Sequence, residues 1–280
     1  MRIGGQAVIE GVLMRSTNYT AIATAKNNKI KVKITKNNPF IKKYEKTLFI
    51  RGIVYLIDML VVGIRALSYS TKEFTGEEEK ISDWGIFLSI LLAFLFSIGL
   101  FIIAPFYLAK LFLPNGFLFN LIDGLFRIVI FIIYIVVIGK FADIKRVFQY
   151  HGAEHKTIAC YENKKSLNLK NIKKFSTLHP RCGTSFLIIV LILSILIFSF
   201  ILSESTLIKI SSRIILIPVI ASLSYEVLRI ADKYKNFFLF KILIYPGLLL
   251  QKITTKEPDN SQIKVALKSL DVLLKKEKNG

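Results

Sequence analysis

Trp84-Gly-Ile-Phe-Leu-Ser-Ile-Leu-Leu-Ala-Phe-Leu-Phe-Ser-Ile-Gly-Leu-Phe-Ile-Ile-Ala-Pro-Phe-Tyr-Leu-Ala109 decides the fold class. No charged side chain interrupts it, and as a helix it exceeds the roughly 20 residues that cross a hydrocarbon core of about 30 Å. Three further stretches have the same character: Phe117 to Gly139, Ser185 to Leu202 and Leu207 to Ile230. The last holds Arg213, Glu226 and Arg229, so its ends are expected to emerge or to pack against protein. The chain as a whole agrees, with 53% hydrophobic residues among 280 and a mean hydropathy of +0.52, too apolar for an ordinary soluble protein. The expected fold is mainly α, a polytopic α-helical membrane protein with about four transmembrane helices and a small cytoplasmic part.

Working outward from the spans, residues 1–47 read as a cytoplasmic N-terminal segment. Within it Lys29-Ile-Lys-Val-Lys-Ile-Thr35 alternates at period two behind Asn27-Asn28, which predicts a β-hairpin with one wet face. The glycines at 4, 5 and 11 predict turns or close backbone approaches. Residues 48–83 read as an amphipathic helix and an acidic linker. Arg51, Asp58 and Arg65 are spaced by seven, which aligns them on one side of a helix, and Glu77-Glu-Glu79 follows. Residues 84–139 and 185–232 form two transmembrane hairpins flanking a polar insertion, 140–184. In residues 233–280, Phe237 to Leu250 is short for a span and contains Pro246, so it reads as an interfacial or re-entrant helix. Ile263, Leu267, Leu270 and Leu274 predict a helix in the tail.

The net charge is +20 and the sequence pI about 9.9. The lysines crowd the N-terminal segment, the 140–184 insertion and the tail, and are nearly absent from 110–116 and 203–206. The positive-inside rule then places both termini and the insertion in the cytoplasm, in a bacterial inner-membrane topology, N-in and C-in. Besides the lipid bilayer itself, such a basic face suits anionic lipid or a polyanion such as the RNA of the ribosome. The opening Met1-Arg2-Ile3-Gly4-Gly5 lacks the apolar run of a secretory signal, so insertion is expected to use the internal spans.

All three histidines and both cysteines of the chain fall within 151–182, from His151-Gly-Ala-Glu154-His155 to His179-Pro-Arg-Cys182. His151 and His155 are spaced i, i+4, so on a helix extending from the second span both imidazoles face one ion. Gly152 opposes that helix by about 1 kcal/mol relative to alanine. H-x-x-E-H is the inverted zincin pattern, in which Glu154 serves as general base. His151, His155, His179 and Cys182 together make an N₃S ligand set for a divalent metal of the zinc type. Two readings stay open. In one, three of these residues hold the metal and a water completes the shell of a hydrolase; in the other, four ligands close a structural site in a non-catalytic scaffold. A transporter is a third class, because charges in the fourth span can line a path. Glu10 is a distant ligand, a proton shuttle or an arginine partner, and Arg181 binds an oxyanion, a phosphate or lipid heads. Cys160 reads as a small buried apolar residue, and Glu162 as a solvated or salt-bridged acid.

Several of these stretches carry a resemblance: Gly4 to Arg15, Arg51-Gly52, His151-Gly-Ala-Glu-His-Lys-Thr157, Cys160-Tyr-Glu162, His179-Pro-Arg-Cys-Gly-Thr-Ser-Phe186, Pro246-Gly-Leu248 and Thr254-Thr-Lys-Glu-Pro258. Together they resemble the YqhQ-like bacterial membrane family, the domain of unknown function numbered 1385, whose members are described as predicted metal-dependent enzymes. Leu13, Ser16 and Leu249 stand where that family more commonly has Met, Gly and Trp. The resemblance implies an integral membrane protein with a metal centre, and supplies no substrate.

Overall fold

A computed structural model describes residues 1, 3–27, 29–76, 83–113, 115–234 and 237–279. Four strands, β1 (Gly4–Val8), β2 (Gly11–Arg15), β3 (Tyr19–Lys26) and β4 (Lys29–Lys36), precede the helices α1 (Phe40–Tyr44) and α2 (Ile50–Thr75). Then come α3 (Asp83–Ile98), a π-helical turn Gly99–Ile103, α4 (Ala104–Phe112), α5 (Phe117–Ile138), α6 (Ala142–Glu162) and α7 (Leu169–Ile172). The chain closes with α8 (Gly183–Ser199), α9 (Thr206–Ile215), α10 (Ile217–Lys233), α11 (Phe238–Thr254) and α12 (Asn260–Asn279). Two compact units result, one of residues 1–77, 138–184 and 248–280, the other of 78–137 and 185–247. The acidic run Glu77-Glu-Glu79 lies in part of the linker outside the described residues.

In the first unit the strands form an antiparallel meander in the order β1-β2-β3-β4. This corrects the expectation of a single hairpin: the glycine-punctuated 4–15 stretch is itself two strands, turning at Ile9-Glu10, where Glu10 takes φ 50°. The β3–β4 turn follows the sequence, with Lys26 opposite Lys29 and Asn27 at φ 50°; its second residue, Asn28, lies outside the described residues. Because side chains alternate, the register pairs Val12 with Ala23 and Met14 with Ala21 on one face, and Leu13 with Ile22 on the other. The first face packs against Tyr150 and Ala153 of α6 and Ile263, Ala266 and Leu270 of α12. Val8, Leu13 and Ile22 on the second face meet Ala66 of α2.

That second face explains the charges of β4 and α2. Lys31 pairs with Glu73 at 2.6 Å, Lys33 lies 5.0 Å from the centre of the Tyr69 ring, and Asp58 pairs with Arg15 of β2. The lysine side of β4 is therefore partly covered by α2, and α2 is a docked helix of this unit. The tail helix α12 is integral too. Ile263, Val265, Leu270 and Leu273 are buried, a burial contributing on the order of 10 kcal/mol before entropy is counted. Asp259 starts it with a reciprocal cap: its Oδ1 accepts from the Gln262 N–H at 2.9 Å, and Gln262 Oε1 accepts from the Asp259 N–H at 2.9 Å.

In the second unit two helical stretches, Phe87–Phe112 and Phe117–Ile138, are long and apolar enough to cross a membrane. The first runs through the π-helical turn, and its α4 portion carries Pro105 in its first turn, where a missing N–H is tolerated. Leu88, Leu92, Phe94 and Phe96 on α3 are exposed, as a lipid-facing surface requires. The sequence-based count of four is not reproduced. α9 and α10 meet at a 46° bend, making up to three spans if the pair is one, and α8 is a shorter apolar helix. The second long helix also ends at Ile138, and α6 starts afresh after an extended Phe141 (φ −69°, ψ 137°), so the histidine helix is not a continuation of it.

Candidate metal centre

The histidine helix α6 projects His151 and His155 from one face, with ring centres 4.3 Å apart. Gly152, between them, is required by packing rather than by helix geometry. A Cβ there would overlap the backbone carbonyl oxygen of Lys256, since the segment after α11 lies across α6, where the Lys256 N–H also donates to Phe148 O at 2.9 Å. This crossing brings Thr254 O within 3.0 Å of His151 Nδ1, while Thr177 O lies 2.5 Å from His155 Nδ1. A carbonyl only accepts, so both Nδ1 atoms carry a proton, which leaves Nε2 of each ring as the atom able to ligate.

Cys182 arrives from the loop before α8. Its Sγ is 3.2 Å from His151 Nε2, and one ligand atom from each of His151, His155 and Cys182 lies within 4.8 Å of the others. Tetrahedral zinc ligands sit about 3.5 Å apart, given metal–ligand bonds of about 2.0–2.3 Å, so a small contraction closes this set on one ion. Burial holds His155 down at about 2, with His151 adding to the depression, so its imidazole is neutral. Burial pushes the Cys182 thiol up, against N–H and hydroxyl hydrogen bonds from Thr184 at 3.4 and 3.2 Å. The neutral His155 imidazole, the His151 Nε2 and a thiol that a cation would ionise form a donor set that fits zinc.

Glu154 projects from the same helix and is 5% exposed. Its carboxyl group occupies the space where a side chain on Gly5 would stand, with Oε1 2.6 Å from that Cβ position. Gly5 thus allows a strand backbone to press on the acid. Burial raises Glu154 to about 8, with His151 lowering it and Cys182 raising it further.

His179 is oriented differently. Its Nε2 faces Glu162 Oε2 at 3.1 Å, and its Nδ1 accepts from the Arg181 N–H at 3.3 Å. Its backbone is clamped by Gln251, which accepts from the His179 N–H at 2.8 Å and donates to its carbonyl at 2.9 Å. Among the described residues the structure brings His151, His155 and Cys182 together and sets His179 beside them, its ring centre 5.7 Å from that of His155. Arg181 pairs with Glu162, and Glu10 pairs with Arg146 and accepts from Tyr150 Oη at 3.2 Å, tying the β1–β2 turn to α6. Cys160 is buried in the hydrophobic core.

Sequence reasoning missed the residues that position the candidate ligands: Thr177, Gln251, Thr254 and Lys156. Lys156 donates to Lys173 O at 3.1 Å and pairs with Glu257 at 2.5 Å, joining both loops to α6. One signal was available, because Gln251, Thr254 and Thr255 recur at i, i+3 and i+4, which puts three uncharged polar side chains on one side of the end of a largely apolar helix.

No solved structure matches this chain. It is 35% identical to the "Uncharacterized protein YqhQ" of Bacillus subtilis (strain 168) over 297 aligned residues, covering 98% of this chain and 92% of that protein. The model of the family described as "Protein of unknown function (DUF1385)" matches residues 48–276. With most of its length matched by that model and nearly all of it by that relative, the chain belongs to the DUF1385 family.

Proposed function

We propose that the chain is a metal-dependent hydrolase of the inner membrane, with a zinc-type ion held by His151, His155 and Cys182. The observation that carries this reading is the convergence of three ligand atoms whose histidines are each fixed by a backbone carbonyl, with a buried acid on the same helix. A divalent ion held there supplies Lewis acidity and makes a water acidic near neutral pH. Glu154 would be the base for a water at such a site; burial raises its carboxyl to about 8, so it would serve as one where a nearby positive charge holds it ionised. Cys182, backed by the Thr184 donors, balances the ion's charge, and the Gln251 clamp on His179 fixes the loop that delivers it. Three converging ligand atoms among the described residues, rather than four, favour the open, catalytic reading over the closed scaffold. The lysine distribution supports a cytoplasmic, N-in and C-in orientation of the first unit, with α8 and the α9–α10 pair completing four crossings.

X-ray absorption on the zinc-loaded, detergent-solubilised protein tests the site. The expected shell is two nitrogens, one sulfur and one exchangeable oxygen. Three nitrogens and a sulfur without solvent would convert the site to a structural one, and failure to bind zinc would refute the centre. Glu154→Gln should keep that shell while hydrolysis of an activated ester, p-nitrophenyl acetate, falls at least about 100-fold; unchanged hydrolysis would remove Glu154 from the reaction.

A further inference from the structure

The apolar unit contains a second concentration of polar chemistry. Asn120, Asp123 and Arg127 lie on α5 and Arg213 on α9, each at most 5% exposed. Arg213 donates to Asp123 Oδ2 from Nε at 3.0 Å and from Nη2 at 2.7 Å, to Asn120 Oδ1 at 3.0 Å and to Lys209 O at 2.8 Å. All of its nitrogens are engaged. Arg127 donates to Asp123 Oδ2 at 3.0 Å and to Ser194 Oγ at 3.2 Å, but its buried Nε–H has no acceptor among the described residues. Two guanidiniums therefore share one carboxylate, and Lys209, buried with its ammonium on Asn115 Oδ1 at 2.5 Å, adds to the positive side. Among the described residues Asp123 Oδ1 also has no donor, and Asp123 is not among the residues that line the cavity described next. An excess of buried positive charge is costly in a membrane-spanning unit unless an anion meets it.

Beside this cluster is a cavity of about 250 Å³, lined by both Arg127 and Arg213 and otherwise mostly by apolar side chains, among them Phe94, Ile98, Phe101 and Ile217. A free anion would satisfy the guanidinium and leave the apolar wall uncovered, while a neutral hydrocarbon would do the reverse. We propose that the cavity binds an anionic amphiphile, a single phosphate or carboxylate on an alkyl chain, whose anionic group is met by the Arg127 and Arg213 side chains at the cavity wall and whose chain lies against Phe94, Ile98, Phe101 and Ile217. A bilayer phospholipid and a soluble acyl or alkyl anion share this chemistry.

Native mass spectrometry of the full chain in an uncharged detergent, with dodecyl phosphate as probe, tests it. The expected result is a saturable one-to-one adduct, at least tenfold tighter than any with dodecanol or inorganic phosphate. Both Arg127→Gln, which removes the unpaired donor, and Ile98→Trp, which fills the cavity and leaves every charge in place, should weaken it at least tenfold. If R127Q does not fold, I98W decides alone. Competition by phosphatidylglycerol would identify the source as bilayer lipid, and its failure to compete would identify a soluble alkyl anion; either outcome supports the assignment. Absence of the adduct, equal binding of dodecanol, equal binding of inorganic phosphate, or an I98W protein that binds unchanged would each overturn it.

Discussion

Gly152→Ala separates local from tertiary causes at the candidate metal centre. In an isolated helix the change is favourable by about 1 kcal/mol, because alanine loses less backbone entropy and shields the helix backbone. In the protein the added methyl meets the Lys256 carbonyl, a backbone atom that cannot swing aside, with Thr177 Cγ2 3.2 Å away. Overpacking of this kind costs about 1–3 kcal/mol, so the expected net effect runs from near zero to about 2 kcal/mol of destabilisation, opposite in sign to the peptide. Relief requires the 254–258 segment to lift, and lifting it breaks the Thr254 carbonyl contact to His151. Zinc affinity should then fall about 10- to 100-fold, as for the loss of a hydrogen bond that orients a metal-bound histidine. Circular dichroism of a peptide covering 142–162 checks the first sign, and competition with a zinc chelator on the full chain checks the second. A G152A protein that binds zinc as tightly as the parent would refute the idea that the 254–258 crossing orients His151.

Two further perturbations probe the charges. In metal-stripped protein Glu154 must take up a proton on folding, because its folded value, raised to about 8, exceeds the 4.5 of an exposed glutamate. Stability from this group is complete below about pH 4.5 and is lost as pH rises toward 8. Relative to Glu154→Gln the parent should therefore weaken by about 1.4 kcal/mol per pH unit across that window, read as falling hydrogen-exchange protection of α6; a difference that does not vary with pH would contradict the burial of an unpaired acid. Asp259 behaves oppositely. Burial pushes it up, but hydrogen bonds from Ser261 and Gln262 and the charge of Arg146 hold it below the usual aspartate value. Its contribution is present above about pH 4 and lost as pH falls through the lowered value. Asp259→Ala should cost about 1 kcal/mol at neutral pH and little in strong acid, measured by exchange in the first turns of α12; equal exchange in parent and variant at neutral pH would remove the cap.

The chemistry-bearing residues were more legible than their arrangement. His151 and His155 could be placed on one face because helix spacing is a local property, and Cys182 because few other residue types complete such a set. The orientation of His179 was not readable, because the spacing to Cys182 says nothing about which way an imidazole turns, and Glu162 and the Arg181 N–H hold it. The strands of 4–15 were obscured by their glycines, which read as turns. Gly5 and Gly11 are instead places where the Glu154 carboxyl and the β3 backbone come too close for a side chain, a reason that exists only in the tertiary structure. Composition alone identified the apolar helices, but span number depends on bends such as that between α9 and α10, which hydropathy does not register.

Glu277 accepts hydrogen bonds from Ser16 Oγ, from the Asn18 N–H at 3.1 Å and from Asn18 Nδ2 at 2.9 Å, across about 260 residues of chain. The sheet is therefore completed by a helix, α12, made after helices α3 to α11, and the contacts of Gln251 and Thr254 to His179 and His151 also come from late in the sequence, from α11. Until then Val12, Met14, Ala21 and Ala23 lack the α12 half of their cover, a slow, non-local closure of the sort that exposes chains to chaperones and proteases. Without α11 and α12 the chain would keep all three histidines and both cysteines, yet His151 would lose its Thr254 carbonyl and His179 its Gln251 clamp, so the arrangement around these side chains is a property of the assembled unit and not of the segment that carries them.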